Sequence, residues 1–159
     1  MDKEKPKIYS ETHSEILELR VFVYGTLKPG GRYHQPCCGD ALTAAIPAVV
    51  KGELYDFARR GYPAMTAGDD WVKGYLLIFE QSAEICAEVL RRLDRLEGYR
   101  AERSEAENEY LRCWVEISTP DHQPLGQSWV YVMRREQVLL QGGCYLADGV
   151  WPNSENISG

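Results

Sequence analysis

An α+β, strand-rich fold is predicted for this chain by three observations. Short runs of β-branched and aromatic residues recur between glycine and proline punctuation, as in Arg20-Val21-Phe22-Val23-Tyr24 before Gly25. In the segment 110–117, Leu111, Cys113, Val115 and Ile117 alternate with Tyr110, Arg112, Trp114 and Glu116, the period of a strand with one face on a core. A single long stretch, after Ser82, carries the helical period instead.

Taken in order, residues 1–10 read as a loose tail. Thr12-x-x-Glu15 fits a capping box opening a short helix through Ile16, Leu17 and Leu19, so residues 1–19 are expected to form an N-terminal extension, partly disordered or a short helix. The opening strand then runs into Tyr24-Gly25-Thr26-Leu27-Lys28-Pro29-Gly30. Further strands are expected over 48–57, 71–79, 110–118, 128–133 and 143–146, with a hairpin loop over 119–127. The segments 30–47 and 61–70 read as loops with no legible code. No linker or repeat divides the chain, which gives one domain over 20–148 and a C-terminal tail over 149–159, either disordered or a cover over the core.

The helix begins after Ser82, a good N-cap, with Glu84 in its first turn, and stops before Gly98. At about 100° per residue, Ile85, Cys86, Val89, Leu90, Leu93 and Leu96 share one face. Glu97 falls on that same face, four residues after Leu93. Partial burial and the negative helix end both push its carboxyl upward from roughly 4.3. Two readings fit: a helix-end glutamate that snorkels or pairs with Arg100 or Arg112, and a tuned general base.

Composition narrows the classes. With 159 residues and 44% apolar content the chain can bury a core without disulfide staples, and its five cysteines, an odd number with Cys37 and Cys38 adjacent, suit reduced thiols. The polar N-terminus has no apolar h-region and the apolar runs are far too short to span a bilayer, so a cytoplasmic protein without a membrane segment is expected. A net charge of −6 without a basic run argues against nucleic acid, whose capture rests on neutralising phosphates. The glycine turn at Gly25 opens a strand end where outward amides could hold a ligand, but its spacing matches neither a dinucleotide fingerprint nor a phosphate loop.

Four groups occur in a telling order: Tyr24-Gly25-Thr26-Leu27-Lys28; Gly52-Glu53-Leu54-Tyr55-Asp56 with Gly61-Tyr62-Pro63-Ala64; Leu93-Asp94-Arg95-Leu96-Glu97-Gly98-Tyr99; and Trp129-Val130-Tyr131. Over roughly residues 20–133 the chain resembles the gamma-glutamylcyclotransferase-like family, including its gamma-glutamylamine branch. The resemblance implies a small mixed β-barrel flanked by helices, with a ligand cavity at one end. It also implies that the turn Tyr24, Gly25, Thr26 and Leu27 holds a gamma-glutamyl group by backbone donors and that Glu97 is the acid/base. Thr26 stands where some branches carry serine. On this reading a gamma-glutamyl amine or amino acid becomes 5-oxoproline plus the free amine, with no cofactor and no metal. Tyr131 is expected to line the cavity through its hydroxyl. For Tyr99 and Tyr110, and for Lys28 and Arg112, a cavity role and a plain solvated position both fit.

Two rivals come from other classes. One is a binding module for a gamma-glutamyl or other small acidic metabolite, without turnover. The other is a thiol or metal site at His34, Cys37 and Cys38, whose His-x-x-Cys-Cys spacing lacks the paired ligands of a structural zinc site.

Overall fold

The computed structural model describes residues 15–152. Six strands and three α-helices follow one another as β1 (Ile16–Val23), α1 (His34–Cys38), β2 (Ala44–Phe57), β3 (Tyr62–Ser82), α2 (Ala83–Leu96), β4 (Leu111–Ser118), β5 (Pro124–Val132), α3 (Arg135–Leu140) and β6 (Cys144–Leu146). The mixed α+β, strand-rich class holds. Strands join in the order β3-β1-β5-β4-β2, and β2 pairs back to β3, so the sheet closes into a ring with β6 added on β2.

The ring is uneven. β1 and β3 pair antiparallel along the whole of β1, whereas β1 meets β5 in parallel at Val21↔Trp129 and β2 meets β4 at Val49↔Ser118. Two narrow seams therefore make it an imperfect barrel rather than an evenly laddered one.

Alternation along β1 explains both cores. Phe22 and Tyr24 turn into the ring, where they pack with Val50, Leu54, Met65, Val72, Leu76, Ile117 and Val130. Leu19, Val21 and Val23 turn outward, to Leu77, Phe79 and the buried face of α2 formed by Cys86, Val89 and Leu93. β1 is thus buried on both sides at Val21, Phe22 and Val23, which is why it reads as a continuous apolar run. On β4 the alternation predicts the right side, with Cys113, Val115 and Ile117 in the ring core.

Helix α2 forms where its signals place it. The Ser82 hydroxyl accepts from the Ile85 amide at 3.3 Å, and Gly98, at φ +66°, turns the chain beyond the last turn. Ile85, expected on the buried face, is 43% exposed because it lies in the first turn, at the margin of the sheet.

Three expectations need correction. The helix through Ile16, Leu17 and Leu19 does not form; these residues extend β1, paired with Ser82, Gln81 and Phe79, so long-range ladder bonds override a local capping signal whose Thr12 lies outside the described residues. The segment 61–70 is not a loop but the start of β3. Its polar residues sit in a bulge: Glu53 pairs with Thr66 and Gly52 with Asp70, which leaves 67–69 without partners on β2 and bends the hairpin. β2 also starts earlier than expected, at Ala44, and tolerates Pro47 where β3 is its one ladder neighbour. Helices α1 and α3, of five and six residues, are too short to show a period and were not expected.

Part of the C-terminal segment packs on the ring. Trp151 is buried in the inner core and its indole donates to Asp56 Oδ1 at 2.8 Å, while Lys28, itself buried, donates its ammonium to the Trp151 carbonyl. Among the described residues no helix is long and apolar enough to cross a membrane.

Because Leu93 is fully buried between α2 and the sheet, Leu93→Ala is expected to cost about 2–5 kcal/mol. The measurement is a lower urea midpoint at unchanged slope; a loss within about 0.5 kcal/mol, the range of surface substitutions, would contradict the packing described.

Candidate active site

A cavity of about 210 Å³ lies where the end of β1, the start of β3 and the end of α2 converge. Its floor is made by buried residues, among them Tyr24, Gly25, Leu27, Pro63, Tyr110 and Tyr131; Tyr33, Tyr62, Leu96 and Glu109 are more exposed and form its mouth. Glu97 also lines it. All six residues singled out in the sequence, Tyr24, Gly25, Thr26, Leu27, Glu97 and Tyr131, therefore meet at one cavity.

The glycine is required by a close approach. A Cβ on Gly25 would stand 2.7 Å from both Cγ and Cδ of Pro63, so any larger residue would push β3 away from the turn. The turn is closed by Lys28 N–H donating to the Gly25 carbonyl at 3.0 Å and Tyr33 N–H donating to the Thr26 carbonyl at 2.9 Å. His34 Nδ1 lies 2.8 Å from the Leu27 carbonyl and so helps to hold the loop. Among the described residues the amides of Gly25, Thr26 and Leu27 donate to no protein acceptor.

Glu97 is delivered by α2. Its amide donates to the Leu93 carbonyl at 2.9 Å, it caps the helix at φ −86°, and Gly98 then reverses the chain so that the Glu109 amide donates back to the Gly98 carbonyl at 3.2 Å. The ion-pair reading of Glu97 fails in this arrangement: Arg112 pairs with Asp94 at 2.7 Å and Arg100 with Glu102 at 3.0 Å, and no ion pair to Glu97 forms among the described residues. Burial, and secondarily the Glu109 carboxylate, push the Glu97 carboxyl up to about 8. As a whole residue Glu97 is only partly buried, because it lines the cavity.

The tyrosines serve chiefly as braces. Tyr24 donates its hydroxyl to the Tyr131 carbonyl at 2.6 Å and accepts from the Met65 amide at 3.2 Å, which ties β1 to β5 and β3. Burial, with Glu97 nearby, holds that phenol well above its usual value. Tyr131 lines the cavity, and its hydroxyl, expected to serve that lining, donates to Asp94 Oδ1 at 2.6 Å. Tyr110 lines the floor and donates to the Pro63 carbonyl at 2.7 Å.

Lys28 and Arg112 line no part of the cavity. Arg112 instead lies between the rings of Tyr99 and Trp129, at 5.2 and 4.7 Å from their centroids, while it pairs with Asp94. Asp94 thus receives both Tyr131 and Arg112 and fastens the last turn of α2 to β4 and β5, one turn before Glu97.

Glu109 was missed in the sequence. It sits after a loop with no periodic signal, and only its contact with Gly98 brings it beside Glu97; a Cβ on Gly98 would approach Glu109 Oε1 to 3.2 Å. Its Oε2 accepts from the Tyr62 hydroxyl at 3.1 Å.

The raised carboxyl has a stability consequence with a definite sign. Folded Glu97 keeps its proton up to about pH 8, whereas the unfolded chain loses it near 4.5, so wild-type stability falls as pH rises between those values. Glu97→Gln is expected to gain thermal stability relative to wild type over that window, with no difference below about pH 4 and a plateau above about pH 8. Melting curves across the range test this, and a Tm difference independent of pH would contradict it.

Solved structures share this architecture. An Arabidopsis thaliana protein, At5g39720.1, solved in solution, is 24% identical, with a TM-score of 0.53 over 73% of this chain and 68% of its own. YkqA from Bacillus subtilis is 21% identical, at 0.58 over 89% of this chain and 42% of its own. An AIG2-like protein from Mus musculus is 18% identical, at 0.58 over 87% and 89%. At these identities the likeness is one of fold. No curated protein sequence matches. The family model described as gamma-glutamyl cyclotransferase, AIG2-like, matches residues 21–153, and the chain belongs to that family.

Proposed function

We propose that the protein is a gamma-glutamyl cyclotransferase that converts a gamma-glutamyl amine or amino acid to 5-oxoproline and the free amine, with Glu97 as acid/base. The observation that carries this reading is the placement of a carboxyl raised to about 8 in the same small cavity as the unpaired amides of Gly25, Thr26 and Leu27.

The chemistry needs an amine nucleophile made from an ammonium. A carboxylate near 4.3 facing an α-ammonium near 8 starts almost four units short, roughly 5 kcal/mol. With Glu97 near 8 that gap nearly closes. The carboxylate takes one proton, and the α-nitrogen attacks the γ-carbonyl within the same molecule. Holding the chain in a near-attack shape contributes on the order of 7–11 kcal/mol. The negative charge that develops on the carbonyl oxygen, or the substrate α-carboxylate, is received by the turn amides.

Collapse breaks the bond to the leaving nitrogen. Two protons leave the α-nitrogen: Glu97 passes one to the leaving nitrogen as it departs, and the other protonates the released amine. Glu97 ends ionised, as it began, and no water is consumed. Among the described residues the cavity offers Glu97 and Glu109 as its titratable carboxyls and no cationic side chain, so the substrate carboxylate depends on main-chain donors.

The test is incubation with gamma-glutamyl amino acids, gamma-glutamyl-ε-lysine and glutathione, with 5-oxoproline read by mass spectrometry. Glu97→Gln is expected to lower kcat by about 10²–10⁴-fold while thermal unfolding stays cooperative. The pH profile of kcat/KM is expected to be a bell near pH 8, its acid limb set by Glu97 and its alkaline limb by the substrate ammonium. Undiminished product from Glu97→Gln would remove Glu97 from the mechanism. Ligand-induced thermal stabilisation without any 5-oxoproline would favour a binding module instead.

A further inference from the structure

Among the described residues no lysine or arginine lines the cavity. Its floor holds the tyrosine rings and the turn, and the two charges it presents are the carboxyls of Glu97 and Glu109. Glu97 lies beside the floor, where the α-ammonium must be, so the reacting end of a substrate points inward and the departing amine points toward the mouth.

At that mouth Glu109 is exposed and held from two sides. Its amide is bonded to the Gly98 carbonyl, and its Oε2 accepts from the Tyr62 hydroxyl at 3.1 Å. No ion pair to Glu109 forms among the described residues. Arg60 donates to the same Tyr62 hydroxyl at 3.3 Å, so its guanidinium stands near Glu109 without an ion pair to it; it also lies 5.5 Å from the centroid of the Phe57 ring and donates to Gln141 Oε1. The rings of Tyr33 and Tyr62 flank the opening.

We propose that this mouth is a subsite for the leaving amine, built on Glu109 and Tyr62, and that it selects gamma-glutamyl amines whose departing amine carries a second, positively charged group. The inference rests on the gamma-glutamyl reading of the floor. A carboxylate beside aromatic faces attracts an ammonium through charge and through the ring quadrupoles. A leaving group that ends in a carboxylate meets Glu109 as a like charge and is rejected. The departing amine of a diamine conjugate has the required charge at a distance from the scissile bond, which keeps it clear of Glu97.

The experiment separates the subsite from turnover. Three amides of equal length are titrated by calorimetry into the Glu97→Gln variant: gamma-glutamyl-(4-aminobutyl)amide, gamma-glutamyl-pentylamide, and the gamma-glutamyl amide of 4-aminobutyrate. The cationic amide is expected to bind about five- to tenfold more tightly than the neutral one, and the anionic amide most weakly. In Glu97→Gln/Glu109→Gln the cationic preference is expected to vanish while affinity for the neutral amide stays within about twofold. In wild type, kcat/KM for 5-oxoproline formation is expected to follow the same order.

Equal affinities, tightest binding of the anionic amide, or a preference that survives Glu109→Gln would overturn the subsite; if 5-oxoproline still forms, the reading of the floor stands. Absence of both binding and product overturns the two together.

Discussion

The pinning of the last turn of α2 is the constraint on which the candidate site depends. Leu93 is sealed against the outer face of β1 and β3, and one residue later Asp94 receives the Tyr131 hydroxyl and the Arg112 guanidinium. With those two residues fixed, the helical rotation turns Glu97 to the cavity. Gly98 then turns the chain at positive φ and draws Glu109 alongside. A carboxylate at such a place is costly, and the helix tolerates it because the surrounding packing over-determines its position.

That constraint sets the electrostatics. Two carboxyls share a cavity that no cation lines among the described residues, so burial and mutual repulsion both favour the protonated form of Glu97. A lysine or arginine in the wall would hold the carboxylate ionised and remove its usefulness as a proton carrier. Lys28 illustrates how the fold avoids this. It follows the glycine turn but donates to the Trp151 carbonyl, while Arg112 is engaged by Asp94 and two aromatic rings.

The helix and its misplaced glutamate were legible in the sequence because both rest on a local period: Ser82 caps, Gly98 stops, and Glu97 falls on the line of Val89 and Leu93. The glycine turn was legible for its glycine, although the reason, the 2.7 Å approach of Pro63, needed the fold. What local reasoning missed is governed by distant partners. Gly68, Asp69 and Asp70 have loop composition, yet the pairing of β2 with β3 on either side absorbs them as a bulge. Ile16 to Leu19 follow a plausible cap and still become strand, since the far end of β3 offers them a ladder. Glu109 carries no signal of its own, and the inward hydroxyl expected of Tyr131 is diverted by an aspartate 37 residues away.

Floor and mouth of the cavity answer to different demands, and the fold builds them in part from different kinds of segment. The floor comes from the ends of β1 and β5, the start of β3 and the cap of α2, elements whose side chains are locked by the two cores, so groups there are held rigidly. The mouth shares Tyr62 with the start of β3 and Leu96 with the end of α2, and adds Tyr33 from the loop before α1 and Glu109 from the segment that leads into β4, where the main chain has few ladder bonds. Loop residues on a rigid scaffold change with little cost to the core. In the proposed reaction the proton carrier and oxyanion donors, which need a fixed separation, fall on the floor, and the proposed discrimination among leaving amines falls at the mouth. On the proposed reading a substitution at Glu109 alters which amine is accepted without displacing Glu97, whereas a change at Leu93, Asp94 or Gly25 disturbs the floor and with it every substrate alike.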